Sequence, residues 1–200
     1  MGWTSDQDAL PLPEARHRMA NAFQLLTTLG RLRTQRADDP ETRRQVAWML
    51  DAISALGVLQ HRLLSPEGED FAGFLHEIAP YWRRRAGDLP VSIEIKAEPV
   101  AVSEQSAAAL AVIVQELVSN ALAHAFPGGR EGVVRVELSR LDDDRAVMVV
   151  ADDGVGYAPA EADDRRLGLW LIRGLADQVR GVFSTRCDSG VTARLEFPTG

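Results

Sequence analysis

The stretch that most constrains the fold is the helical pattern over residues 103–125, above all "QELVSNALAHAFPGG" at residues 115–129. Ile113, Leu117 and Ala121 repeat every fourth residue, with Val114, Val118, Leu122 and Ala125 beside them, the spacing of a helix that buries a face. Glu116, Asn120 and His124 also fall four apart. At 3.6 residues per turn they form one polar ridge, roughly 12 Å from end to end. A helix that must bury a face thus carries a carboxylate, an amide and an imidazole in line along its flank, which calls for a chemical reason.

The pattern around this helix is mixed. A helix is expected over 71–85 and a strand over 91–97 ("VSIEIKA"). Two further apolar or alternating runs, 133–139 and 145–151, precede a loop, a helix over about 167–179 and a closing hairpin. In that hairpin Val191, Ala193, Leu195 and Phe197 alternate with Thr192, Arg194 and Glu196, as in a half-buried strand. The order of elements implies an α+β fold, an α/β sandwich with an antiparallel-leaning sheet and helices on one face.

A change of pattern at "SPEGED" (65–70) divides the chain into 10–65 and 66–200. The first part reads as two helices. One opens at Pro13 and runs to about residue 36, with Met19, Phe23, Leu26 and Leu29 as its stripe. The other spans about 40–64, with Val46, Met49, Ile53, Leu56 and Leu63 as a heptad-like seam. The short "ADDP" link folds them back antiparallel. One such hairpin buries too little to be stable, so two should pair as a dimeric four-helix bundle.

Composition removes other classes. Hydrophobic residues make up 46% of the 200, enough for a real core. The net charge of −7, with 22 scattered basic residues, argues against nucleic-acid binding. Cys187 stands alone, which excludes a disulfide framework or a cysteine-rich metal site. No apolar run reads as long enough for a membrane span, and the acidic, Pro-bearing N-terminus is no signal peptide. The expectation is a cytoplasmic protein without membrane insertion.

The polar residues then assemble into a site. Asp152 follows directly on the run 145–151, where its carboxylate can accept hydrogen bonds from an amino group. Gly154 and Gly156 in "DDGVGYAP" allow the backbone to approach a flat ligand. Gly168 in "RRLGLWLIRGL" stands at the start of a helix, whose free N–H groups suit phosphate. The ridge residues Glu116 and Asn120 offer oxygens to Mg²⁺, which takes one or two protein oxygens plus phosphates and waters. Together these describe an ATP site.

"ELVSNALAHAFPGG", "DDGVG" and "LGLWLIRGLADQVRG" resemble the N, G1 and G2 boxes of the Bergerat ATP-binding fold of histidine kinases. "EARHRMANAFQLLTTLGRL" resembles the phosphoacceptor helix of a bacterial subfamily related to the HWE histidine kinases. The Trp-x-Glu signature of the HWE group proper is absent, which points to its sister group. The resemblance covers about residues 14–198. It implies that His17 is the phosphoacceptor, Glu116 orients water or metal, Asn120 coordinates Mg²⁺ and Asp152 reads the adenine amino group. It also implies that Gly154, Gly156, Gly168 and the adjoining Leu169 shape the lid and phosphate region. His124 stays open between a phosphate contact and a local hydrogen bond.

A neutral imidazole is a competent nucleophile near neutral pH. Glu14 and Asn21 lie on the same helical face as His17, three residues before and four after it. Glu14 can fix the ring tautomer or take its proton, and Asn21 can orient a water or a phosphoryl oxygen. His61 and His76 read as structural, and Trp3, Trp48, Trp82 and Trp170 as core or interface.

Two departures from the family pattern stand out. Ala123 occupies the place before the N-box His where a Lys is common, and Val191 follows Gly190 where a Thr is common, unless Thr192 compensates. Three functions compete: a kinase that phosphorylates His17 and then a response regulator receiver domain; a phosphotransferase with a degenerate nucleotide domain; and a non-catalytic module that sequesters a regulator. So little sequence precedes the hairpin that input should come from a separate sensor protein, or the chain is the core of a longer polypeptide.

Overall fold

The computed structural model describes residues 22–23, 25–30, 39–63, 70–156 and 167–199. Asp39 opens the first complete helix by accepting the Thr42 N–H at 2.7 Å, with Pro40 in the first turn, where no N–H is needed. That helix, α1, is Pro40–Leu63. Next come α2 (Phe71–Ala86), β1 (Val91–Ala97) and α3 (Glu104–His124), capped at its start by the Ser103 hydroxyl. A short 3₁₀ turn leads into β2 (Gly132–Arg140) and β3 (Arg145–Asp152); α4 (Leu167–Gln178), β4 (Val182–Cys187) and β5 (Val191–Pro198) complete the order.

The sheet runs β1-β2-β3-β5-β4. It is mixed: β1 and β2 pair in parallel across the α3 crossover, and the other pairs are antiparallel. On β2, Val134, Val136 and Leu138 are buried while Arg135 and Glu137 are exposed, so one face turns to the helices. Phe74, Ile78 and Trp82 of α2 join Leu110, Ile113, Val114 and Val118 of α3 in that core. Within it the Trp82 indole donates to Gln115 Oε1 at 2.7 Å, and the Gln115 amide donates to the Ser119 hydroxyl at 2.9 Å. The buried amide is thereby satisfied on both ends.

Two expectations change here. By length and composition α3 is long and apolar enough to span a membrane, contrary to the reading that no run reaches that length. Its apolar faces are instead taken up by the core, and Gln115 and Glu116 are buried with them. The heptad-like seam of α1 is not its most buried face. Met49 is 53% exposed, whereas Ala55 and Leu59 are fully buried. The reason is that α1 packs on α3 and α2, so its Ala55–Leu59 stripe enters the shared core. Elsewhere on α1, Gly57 lies against Phe23, and a Cβ at Gly30 would meet Leu50, contacts that run in opposite directions along the two segments.

The packing of α3 sets a stability test. Leu110 is fully buried at the centre of the core. Leu110→Ala is expected to lower unfolding free energy by about 2–5 kcal/mol, read from guanidinium denaturation. A loss under about 1 kcal/mol would be incompatible with this core.

Candidate functional site

A cavity of about 170 Å³ opens where α3, the end of β3, the start of α4 and the β4–β5 hairpin meet. The ridge read from the sequence forms one wall: Glu116, Asn120 and His124 all line it. Asp152, Gly156, Gly168 and Leu169 line it from the other elements. Gly154 does not. It is buried against Ala125, and the next N–H, of Val155, donates to the Ala125 carbonyl at 2.9 Å, so this loop is tied down on the end of α3. Glu14, His17 and Asn21 lie outside the described residues.

Glu116 is only 7% exposed, unusual for a carboxylate. Asn120 Nδ2 donates to its Oε1 at 3.0 Å, and the Trp48 indole, from α1, is a second donor. Burial lifts the Glu116 carboxyl above its ordinary value; these two hydrogen bonds oppose the rise and the charge of Asp51 adds to it. Gly168 completes the surroundings, since a Cβ there would collide with Glu116 Oε1. Only glycine lets the first turn of α4 come this close. The Asn120 bond has a further result: with Nδ2 turned to Glu116, Oδ1 meets no donor side chain among the described residues and can take another ligand.

Asp152 is the last residue of β3. Its Oδ1 accepts the Gly154 N–H at 3.0 Å and the Val191 N–H at 3.2 Å. Burial raises this carboxyl too, opposed by those two N–H bonds and reinforced by Asp153. Gly190, at φ +105°, turns the β4–β5 hairpin close against the Asp152 carbonyl, where a side chain would clash. The neighbouring Asp153 is occupied otherwise: its carboxylate accepts the Val133 N–H at 2.7 Å, and its carbonyl accepts from Arg130 at 2.8 Å.

Between the two carboxylates the wall is apolar, with Leu117, Val150 and Ala193. Such a site accepts a flat group carrying a hydrogen-bond donor at Asp152 and oxygen-rich, cation-bound groups at the α3–α4 end. Among the described residues no group of three or more His, Cys, Asp or Glu forms a metal cluster.

Several placements differ from expectation. Thr192 is exposed and does not line the cavity; Thr185 of β4, opposite Ala193, does. The alternation of the closing hairpin carried that signal, because Thr185 pairs with an inward-facing position of β5. Of the tryptophans read as core or interface, Trp82 is core, whereas Trp170 is 66% exposed, which rules out the core reading for it and leaves the interface one. His76 is exposed on α2 and does not line the cavity.

A family profile described as a histidine kinase-like ATPase domain matches residues 92–195. The chain is 28% identical over 202 residues to the sensor histidine kinase PdtaS of Mycobacterium tuberculosis, covering 94% of this chain and 39% of that protein. It is 24% identical over 197 residues to the blue-light-activated histidine kinase 2 of Erythrobacter litoralis, covering 94% and 56%. Thus it spans 39–56% of the length of these relatives. Among solved structures, the histidine kinase domain of an Erythrobacter litoralis blue-light-activated histidine kinase superposes with a TM-score of 0.72 at 22% identity, covering 94% of this chain and 90% of that one, a likeness of fold.

The Asp152 carboxyl gives a pH test. Its folded-state value lies above its unfolded value, so the folded state holds the proton more tightly. Stability therefore falls as pH rises through the ordinary value of 3.8 toward the raised one, and the full cost applies above it. In Asp152→Asn the amide oxygen can keep both N–H bonds without the buried charge. This variant should melt higher than wild type near neutral pH, with the gain shrinking as pH falls toward the ordinary carboxylate range. Thermal melts across that range check it; a variant less stable at neutral pH contradicts it.

Proposed function

The chain belongs to the histidine kinase-like ATPase domain family, and from that premise we propose that it is a protein histidine kinase. It transfers the γ-phosphoryl group of ATP to His17 and then to an aspartate on the receiver domain of a response regulator. The observation that carries this reading is the meeting of Glu116, Asn120, Asp152 and Gly168, from three separate elements, on one cavity. Asp152, with Oδ1 committed to backbone, offers Oδ2 to the adenine amino group. Asn120 Oδ1 and the Glu116 carboxylate are an oxygen pair suited to Mg²⁺ that keeps waters and phosphate oxygens. When bound, Mg²⁺ neutralises phosphate charge and orients the γ-phosphoryl group. His124, at the end of the ridge, contacts phosphate, and Gly156, Gly168 and Leu169 shape the wall around it.

In the transfer, a neutral His17 ring nitrogen attacks the γ-phosphorus, the bond to the bridging oxygen breaks, and ADP leaves. Glu14 takes the ring proton and Asn21 orients the phosphoryl oxygens. Residues 10–65 act as the phosphotransfer and dimerisation hairpin and 66–200 as the ATP-binding domain. The antiparallel contacts Phe23–Gly57 and Gly30–Leu50 support the hairpin. Exposed Leu25, Leu26, Leu29 and Met49 support its pairing with a second copy in a four-helix bundle. We place the exchange in the cytoplasm, where ATP is available, with input from a sensor region or partner. Ala123 and Val191 favour a second reading, a phosphotransferase with a weakened nucleotide site.

Incubation with γ-labelled ATP and Mg²⁺ should give an acid-labile, base-stable label that is absent in His17→Ala. A label that survives in the variant overturns the site.

Ala123 makes a separate test. An ammonium partly shielded from water contributes about 1–3 kcal/mol to phosphate binding. Arg130, a candidate substitute, is engaged with the Asp153 carbonyl. Ala123→Lys should therefore tighten ATP binding roughly five- to a hundredfold by titration calorimetry. If neither protein binds ATP at millimolar concentration, the phosphotransferase reading replaces the kinase one.

A further inference from the structure

The face of α1 turned to the nucleotide-binding part of the chain carries Trp48, Asp51, Ala55 and Leu59, at three- and four-residue steps. Ala55 and Leu59 are fully buried in the core shared with α2 and α3. Asp51, one turn from Trp48, accepts the Tyr81 hydroxyl at 2.7 Å and pairs with Arg85 at 3.3 Å, which fixes α1 on α2 in rotation and register. Trp48, so placed, donates its indole N–H to Glu116. Glu116 in turn accepts Asn120 Nδ2 at 3.0 Å. The chain of contacts runs from α1 to the two oxygens that face the cavity.

We propose that Trp48 is a positioning residue for the phosphoryl-transfer site: its indole holds the Glu116 carboxylate, and through it the Asn120 amide, in the orientation that receives Mg²⁺ and nucleotide. The proposal rests on the nucleotide reading of the cavity. Its physical basis is that, among the described residues, Asn120 and Trp48 are the side chains that donate to a carboxylate only 7% exposed. With two fixed donors, Glu116 keeps one orientation, and Asn120 keeps Nδ2 toward it and Oδ1 toward the ligand. With the indole N–H gone, the carboxylate can turn to claim Asn120 differently, and the amide no longer has one preferred face. Partners behind a metal ligand commonly change metal affinity about 10–100-fold when removed.

Trp48→Phe keeps the aromatic packing and deletes only the donor. Two measurements on the whole chain test the proposal. In the first, nucleotide affinity is measured by calorimetry with ADP, with and without Mg²⁺. The Mg²⁺-dependent gain in affinity should fall about tenfold in Trp48→Phe, while Mg²⁺-free affinity, governed by Asp152, stays within about twofold. Equal losses with and without Mg²⁺, accompanied by a lower melting temperature, would make Trp48 a packing residue and overturn the proposal, as would an unchanged Mg²⁺ dependence.

The second measurement needs no nucleotide. In ¹⁵N-labelled protein the Trp48 indole resonance, identified by its loss in Trp48→Phe, should shift in Glu116→Gln, and the Asn120 side-chain amide resonances should move in Trp48→Phe. Unmoved Asn120 resonances overturn the coupling whatever the nucleotide does. If wild type binds no nucleotide, the functional reading fails on its own, and the resonances still decide whether Trp48 positions the pair.

Discussion

Glu116 places an ionisable group on the central core helix, one residue after the buried Gln115 and among Ile113, Val114 and Val118. A charge in such surroundings is tolerated only when donors meet it. Asn120 supplies one from the next turn of the same helix, Trp48 supplies another from α1, and the missing side chain of Gly168 lets α4 close over it. Three helices therefore have to be in place before this carboxylate can be buried. The geometry of the site and the packing of the domain are one problem, solved at the same few atoms.

The far end of the cavity is built by backbone. Asp152 stands where β3 stops, and its Oδ1 joins the loop after β3 to the first residue of β5. Gly190 makes the approach possible, and Asp153 secures the strand's other neighbour through the Val133 N–H. Both cavity carboxylates titrate above their ordinary values because of burial. Neither is an arrangement that stability alone would favour; perturbed groups gathered in one cleft are what a binding site retains at the expense of the fold.

Much of this was legible in residue order because it rests on local periodicity. The alternation in "VSIEIKA" and in Val191–Phe197 marks β1 and β5, and the four-residue ridge of α3 marks a cavity wall. What was not legible depends on tertiary pairing. Thr185 enters the wall through the β4–β5 register, and Gly154 leaves it because the loop is drawn onto Ala125. Trp48 meets Glu116 across a large separation in sequence, and α1 read alone offered Met49, now exposed, as a seam residue instead. An apolar stripe says that a helix face will be covered, not by what.

The rotation of α1 explains how one helix can serve several partners. At about 100° per residue, Trp48, Ala55 and Leu59 fall within about 20° of one line, the line that meets α3. Leu50 and Gly57, which contact Gly30 and Phe23, lie on nearly the opposite side, about 180–200° away. Val46, Met49, Ile53 and Leu56 occupy the sector between, centred about 120° from Trp48. The three faces can be engaged together without competition. They cannot be moved independently, because a helix with intact backbone hydrogen bonds turns as a unit. A rotation imposed on the outer faces must shift Trp48 against Glu116, and Asp51 resists that rotation through Tyr81 and Arg85. The helix that presents an apolar sector outward is, by its geometry, also the one that touches the buried carboxylate.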